Sequence, residues 1–193
     1  MLAFLKTPSV KTLCACAAIS LAAVGQASAQ QAKPAAAAAG PTAGATLLGQ
    51  YGDWGAYSAS PGGKKICFAL AKPASGETNP PNRRNDTMSV YMFVSSRPSE
   101  KVKDEVSLLV NGYVFKPNVD ATAQVGNATF AMYTQKDGAW IKNAAEEVRL
   151  VEAMRKSGDM TVKATTDRGT ATIDKFSLKG MEQALTRVAQ ECK

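Results

Sequence analysis

Residues 160–176 read MTVKATTDRGTATIDKF, and this stretch decides the fold class. Its central residues 167–169, Asp-Arg-Gly, are typical of a tight turn. They separate two short runs, 160–166 and 170–176, so the stretch predicts a β-hairpin. Because a hairpin joins two antiparallel strands, the fold built outward from it is an antiparallel one.

The same pattern of short runs and turn residues repeats through the chain. Pro61-Gly62-Gly63 separates the runs 54–60 and 64–71, and Asn111-Gly112 separates 105–110 from 112–116. Gly126-Asn127 separates 120–125 from 128–134, and Asp137-Gly138 forms a further turn. Residues 87–95 are rich in β-branched and aromatic residues and predict a buried strand, whereas residues 74–86 predict a long loop. The aromatic residues assigned to the strand core are Tyr91, Phe93, Tyr113, Phe115 and Phe130.

Two helices complete the predicted fold. Asn143 can cap the first, with Glu146 three residues later, and Val148, Val151 and Met154 then share one face. Ser177 can cap the second, whose apolar stripe consists of Leu178, Met181, Leu185, Val188 and Cys192. About eight to nine short strands with two helices indicate an antiparallel β-sandwich, with a small β-barrel as the alternative.

The N-terminus predicts export. Residues 1–29 combine a basic start, an uncharged apolar run at 13–24 and small residues at 27–29, which are the three parts of a cleaved signal peptide. We expect cleavage between Ala29 and Gln30. The apolar run is too short for a bilayer core of about 30 Å, so the mature chain is expected to have no transmembrane segment. The predicted location is the periplasm or the outer envelope, or outside the cell.

Composition divides the remaining chain in two. Residues 30–48 are rich in alanine, proline and glycine and predict a flexible linker, which leaves residues 49–193 as one β-sandwich domain. After cleavage the cysteines are Cys67 and Cys192, which can form one intramolecular disulfide in an oxidising compartment. Two buried free thiols, or an intermolecular bridge, are the alternatives.

The residue types exclude several kinds of chemistry. The chain has no histidine, which excludes histidine metal sites and Ser-His-Asp or Cys-His catalysis. We find no motif for a catalytic residue, a metal or a cofactor, so none is expected. The full chain carries a formal charge of +7, and loss of two lysines with the signal leaves +5, which is too diffuse to indicate nucleic acid.

Two places remain as candidate sites. Arg83 and Arg84, in the long predicted loop, could hold a phosphate or an anionic glycan, or could be an exposed loop without a ligand. Asp53 could lie in a cleft, although the alternative is that residues 52–53 begin a strand and Trp54 packs in the core.

Three segments, in order, resemble the invasion-associated locus B family of exported Gram-negative proteins. They are Tyr51-Gly52-Asp53-Trp54, then Asp137-Gly138-Ala139-Trp140 with the helix that ends Val151-Glu152-Ala153-Met154-Arg155-Lys156, and then Arg168-Gly169-Thr170 with Phe176-Ser177-Leu178-Lys179-Gly180 and the helix that ends at Cys192. The resemblance covers residues 49–193. It implies an immunoglobulin-like β-sandwich in the periplasm or outer envelope and a link to host-cell invasion, but no catalytic residue. Family members often carry a cysteine just after the Asp-Trp pair, where this chain has Gly55-Ala56-Tyr57.

The leading functional hypothesis is a non-enzymatic envelope protein that binds a protein, an envelope component or a host surface. One alternative is a periplasmic hydrolase that uses carboxylates such as Asp53 or Asp120. Such an enzyme would need two carboxyl groups about 5–9.5 Å apart in a cleft. A chaperone-like factor for envelope assembly is the third possibility, and it predicts an exposed apolar groove or an unpaired strand edge.

Overall fold

The structure, a computed structural model, describes residues 41–85 and 88–193. In these ranges the chain forms eleven β-strands and two α-helices. The strands are β1 (Thr46–Tyr51), β2 (Trp54–Ala59), β3 (Ile66–Ala71), β4 (Ser75–Asn79), β5 (Ser89–Arg97), β6 (Val102–Asn111), β7 (Ala121–Val125), β8 (Ala128–Gln135), β9 (Gly138–Ile141), β10 (Asp159–Thr165) and β11 (Ala171–Ser177). The helices are α1 (Ala144–Lys156) and α2 (Met181–Glu191). The prediction of a mainly β fold with two short helices is confirmed.

The strands pair antiparallel in one continuous sheet of order β1-β2-β3-β5-β6-β9-β8-β7-β10-β11-β4. Strands far apart in this order touch, because Trp54 of β2 donates its indole N–H to the carbonyl of Ser177 in β11 at 2.9 Å. One hydrophobic core contains side chains from both halves of the sheet and from both helices. The sheet therefore folds over on itself in a sandwich-like arrangement around this main core.

The predicted disulfide is confirmed. Cys67 of β3 and Cys192, which follows α2, are bonded across 125 positions, with their Cα atoms 5.9 Å apart. Helix α2 packs against β1, β2 and β3. Its predicted apolar stripe is buried as far as Val188, so the bridge attaches a helix that already packs on the core.

Both helices differ from their prediction in detail. Asn143 caps α1 by accepting a hydrogen bond from the N–H of Ala145 at 3.0 Å, as expected. Val148, however, is 64% exposed. The helix instead presents Leu150, Val151 and Met154 to the core, and Glu147 on the same side accepts a hydrogen bond from the N–H of Val106 in β6.

Helix α2 begins at Met181, and Ser177 belongs to β11 instead of capping it. Gly180 takes the capping position with φ of 90°. A side chain there would collide with the main chain of Tyr51, so a residue without a Cβ is needed where the β1–β2 turn approaches the start of the helix.

Three boundaries in the β region were predicted wrongly. Residues 46–48 of the predicted linker lie in β1, where Leu48 packs against the core. The predicted loop 74–86 contains the polar edge strand β4. Residues 112–116 form no strand, because the chain leaves the sheet at Gly112. The signal peptide 1–29, its cleavage site and the linker as far as residue 40 lie outside the described residues.

The sheet also carries apolar side chains on its outer face. Phe68, Leu70 and Phe93 form a second cluster that is separate from the main core, and Tyr57 and Tyr91 pack against it half-buried. The rings of Tyr57 and Phe68 stack with their centroids 5.3 Å apart. Phe93 is therefore buried, as expected, but in this second cluster, and Tyr91 is only half-buried against it. Phe115 and Phe130 lie in the main core, and Tyr113 packs against it partly buried.

Candidate functional site

A cleft of about 830 Å³ opens where four connecting segments meet. These are the loop that joins β4 to β5, the loop that joins β6 to β7, and the β8–β9 and β10–β11 turns. The cleft lies between the two halves of the folded sheet, because its lining residues come from β4, β6 and the β10–β11 hairpin. Its volume is in the range of ordinary ligand-binding pockets.

Backbone hydrogen bonds fix one wall of the cleft. The chain turns at Gly112, whose φ is 88°, and residues 113–115 then cross from one half of the sheet to the other. The N–H of Phe115 donates to the carbonyl of Lys136 at 2.7 Å, and the N–H of Asp167 donates to the carbonyl of Val114 at 3.0 Å. The segment therefore ties the β8–β9 turn to the β10–β11 turn and holds the wall in place.

An ion pair forms the floor. Arg84, from the β4–β5 loop, donates through both terminal nitrogens to the two carboxylate oxygens of Asp174 in β11. Asp174 is 1% exposed, and the guanidinium also lies 3.4 Å from the hydroxyl of Tyr113. Gly76 of β4 lies directly beneath, and a Cβ there would collide with the Arg84 guanidinium. At the floor, Arg84 is thus fixed by two hydrogen bonds to the buried carboxylate of Asp174, and Gly76 leaves the space that the guanidinium occupies.

Burial controls the titration of these groups. Burial raises the pKa of the Tyr113 hydroxyl to about 12, against the opposing effect of the Arg84 charge. Burial also raises the pKa of the Asp174 carboxyl, while the hydrogen bonds from Arg84 act in the other direction. For Arg84, burial lowers the pKa, but the hydrogen bonds and charge of Asp174 outweigh it and leave that pKa raised. The charges of Arg84 and Asp174 therefore each stabilise the charged form of the other residue.

The walls offer charges that are not already paired. Arg83, Lys136 and Arg168 line the cleft from three different loops, and their side chains make no ion pair or hydrogen bond with any described residue. Asp137 and Asp167 also line it without an ion pair in the described part of the chain. With Arg84 and Asp174 cancelling, the cleft carries a small excess of positive charge.

Uncharged groups fill the space between these charges. The hydroxyl and amide groups come from Thr78, Thr166, Thr170, Thr172 and Asn111. The apolar part of the lining comes from Pro80, Met88, Val110 and Val114. Val114 is 39% exposed although it is apolar, so the cleft presents an apolar contact between polar groups.

The structure places the sequence candidates in different positions. Arg83 and Arg84 both line the cleft, but Arg84 is committed to Asp174 and only Arg83 is exposed. Asp53 lies in the β1–β2 turn and lines a smaller depression beside Tyr57. Asp120 pairs with Lys142 at 2.8 Å and does not line the cleft. The two carboxylates proposed for a hydrolase are therefore not brought together there.

The sequence analysis did not place Tyr113, Lys136 or Arg168 at a site, although all three line the cleft. It also did not identify Asp174, which is not part of the lining but pairs with Arg84. Of these four residues, only Asp174 has a position in the sequence pattern that could have indicated its role. In residues 171–177 it alternates with Thr172 and Phe176, and all three are buried. A carboxylate in such a position needs a cationic partner.

Comparison of the chain with protein-family models, with curated proteins and with solved structures found no match. Among the described residues, no helix has both the length and the apolar character needed to cross a membrane. Within 41–85 and 88–193, no three acidic or cysteine side chains are grouped to hold a metal ion.

Proposed function

We propose that this protein is a non-enzymatic, exported envelope protein that binds its partner in the cleft. The observation that carries the proposal is the cleft itself, in which four connecting segments converge around a fixed floor. Its volume, its apolar contact and its few convergent polar groups are those of a ligand site. Preorganised walls lower the cost of ordering loops on binding.

Two features favour binding over catalysis. The buried carboxylate of Asp174 is held by Arg84 at two points, so it is occupied by a structural contact. The free carboxylates of Asp137 and Asp167 are exposed on turns, where their side chains are not held by hydrogen bonds to described residues. Catalytic groups need fixed geometry, and no described contact fixes these two carboxylate side chains.

The sequence supports the proposed compartment and partner class. The N-terminal signal predicts export, and the Cys67–Cys192 disulfide suits an oxidising compartment. The resemblance to the invasion-associated locus B family supports an envelope component or a host surface as the partner.

Site-directed photo-cross-linking in intact cells tests the proposal. A photoreactive amino acid replaces Arg168 at the cleft, and in a matched variant it replaces Arg149 on α1, which is 71% exposed and lies outside the cleft. We expect a discrete cross-linked product from position 168 and none from position 149. Equal products from both positions, or a product from position 149 alone, would place the partner elsewhere.

A further inference from the structure

The cleft also indicates what kind of ligand it takes, and this inference rests on the function proposed above. Its unpaired cations, Arg83, Lys136 and Arg168, approach from three loops and alternate with exposed carboxylates. A site of this kind favours a ligand that carries separated anionic groups together with hydrogen-bond donors. A fully anionic ligand would meet the repulsion of Asp137 and Asp167.

Four main-chain N–H groups around the cleft are already hydrogen-bonded. The N–H groups of Val110, Phe115 and Asp167 donate to carbonyls at 2.7–3.0 Å, and that of Gly169 donates to Thr166 at 2.9 Å. A peptide that binds as an added strand needs free main-chain groups on its receptor. These four N–H groups are not available to a peptide strand, which favours recognition through side chains.

The side chains that remain available are suited to sugar hydroxyls. The Thr170 hydroxyl and the exposed Asn111 amide both donate and accept hydrogen bonds, as sugar hydroxyls also do. The hydroxyls of Thr78, Thr166 and Thr172 already bond the main chain. Met88 and Val114 provide an apolar surface for the C–H face of a sugar ring. Arginine forms paired hydrogen bonds with a carboxylate, which suits the unpaired Arg83 and Arg168.

We infer that the ligand is an oligosaccharide with carboxylate groups, bound through Arg83 and Arg168 at its carboxylates and through Thr170 and Asn111 at its hydroxyls. Lys136 adds a further positive charge to the same wall. Arg84 stays with Asp174 and shapes the floor without contacting the sugar.

Calorimetric titration of the purified full chain with tetragalacturonate, an acidic tetrasaccharide, tests this inference, with neutral maltotetraose and hexaglutamate as comparisons. We expect tetragalacturonate to bind at least about tenfold more tightly than maltotetraose, and its affinity to fall as salt rises. Arg83→Gln and Arg168→Gln should each weaken binding about tenfold, because each removes a charge-assisted contact. Arg149→Gln, the matched loss of an exposed arginine outside the cleft, should change nothing.

Other outcomes overturn the inference in distinguishable ways. Equal affinity for maltotetraose would show that charge is not recognised. Tighter binding of hexaglutamate, weakened by Arg168→Gln, would replace the sugar by an acidic peptide and leave the cleft as the binding site. Absence of tetragalacturonate binding would overturn the ligand class, and the cross-linking at position 168 would then decide the proposed function separately.

Discussion

Nη2 of Arg84 lies 2.6 Å from Oδ2 of Asp174, a residue 90 positions further along the chain, and Nη1 bonds the other carboxylate oxygen. This pair attaches the β4–β5 loop to the inner face of β11. Because the loop also carries Arg83, the same contact positions the one exposed arginine of that loop at the cleft. The ion pair at the floor of the cleft thus also fixes the loop that carries Arg83.

Removal of one partner measures how much the Arg84–Asp174 pair contributes to the free energy of unfolding. Asp174→Asn leaves the partly buried Arg84 charge without its counter-charge, so we expect the free energy of unfolding to fall by about 3 kcal/mol. Urea denaturation measures the change. Asp159→Asn removes the partner of the exposed ion pair with Lys175 and should cost under about 1 kcal/mol. Equal losses in the two variants would show that the Arg84–Asp174 pair has no special role.

Substitution of Gly76 tests the close contact between this residue and the Arg84 guanidinium. Gly76→Ala should push the Arg84 guanidinium away from Asp174 and lower the free energy of unfolding by about 1–3 kcal/mol. Gly158→Ala is the matched control, because no heavy atom lies within 4 Å of a Cβ placed there. Thermal or urea unfolding compares the two. An unchanged stability in Gly76→Ala would contradict the close contact.

The Tyr113 hydroxyl should ionise at a higher pH than an exposed tyrosine does. Its pKa is raised to about 12 by burial, so a phenolate absorbance phase centred near pH 12 is expected, and Tyr113→Phe should remove that phase. The folded state holds this proton more tightly than the unfolded chain does, so the contribution of Tyr113 to stability is lost as pH rises from about 10 to about 12. If the Tyr113→Phe difference spectrum showed only a phase near pH 10, the hydroxyl would not be buried.

The disulfide should stabilise the domain by restricting the unfolded chain. Its loop spans 125 positions, and Cys192→Ser is expected to lower the free energy of unfolding by about 2–4 kcal/mol. Cys67→Ser and the double variant should be destabilised about equally, because each lacks the same bond. Urea denaturation without reductant measures all three. Additive losses would mean that the thiols act separately.

The sequence was sufficient for the strands that have strong turn signals and for the disulfide, because both depend on local pattern or on simple counting. It failed where tertiary contacts override a local signal. Asn111-Gly112 reads as a hairpin turn, yet the next residues cross to the β10–β11 turn. Val148 fits an apolar stripe, yet Glu147 faces the sheet and leaves Val148 exposed.

The candidate site was predictable only in part, for the same reason. Two adjacent arginines attract attention in a sequence, but nothing local distinguishes the one that is buried from the one that is exposed. That difference comes from Asp174, which lies on a distant strand. Lys136 and Arg168 lie in ordinary turns and become cleft residues only because residues 113–115 bring the two turns together.

The central claim is that the partner occupies the cleft, and filling the cleft tests it most directly. Val114→Trp places a large ring in the cleft, whereas Val148→Trp makes the same change at an exposed position on α1. The measurement is the yield of the cross-linked product from position 168 in each background, with unfolding curves to confirm that both variants are folded. The account predicts that Val114→Trp abolishes the product and that Val148→Trp preserves it. A full yield in folded Val114→Trp would contradict the claim.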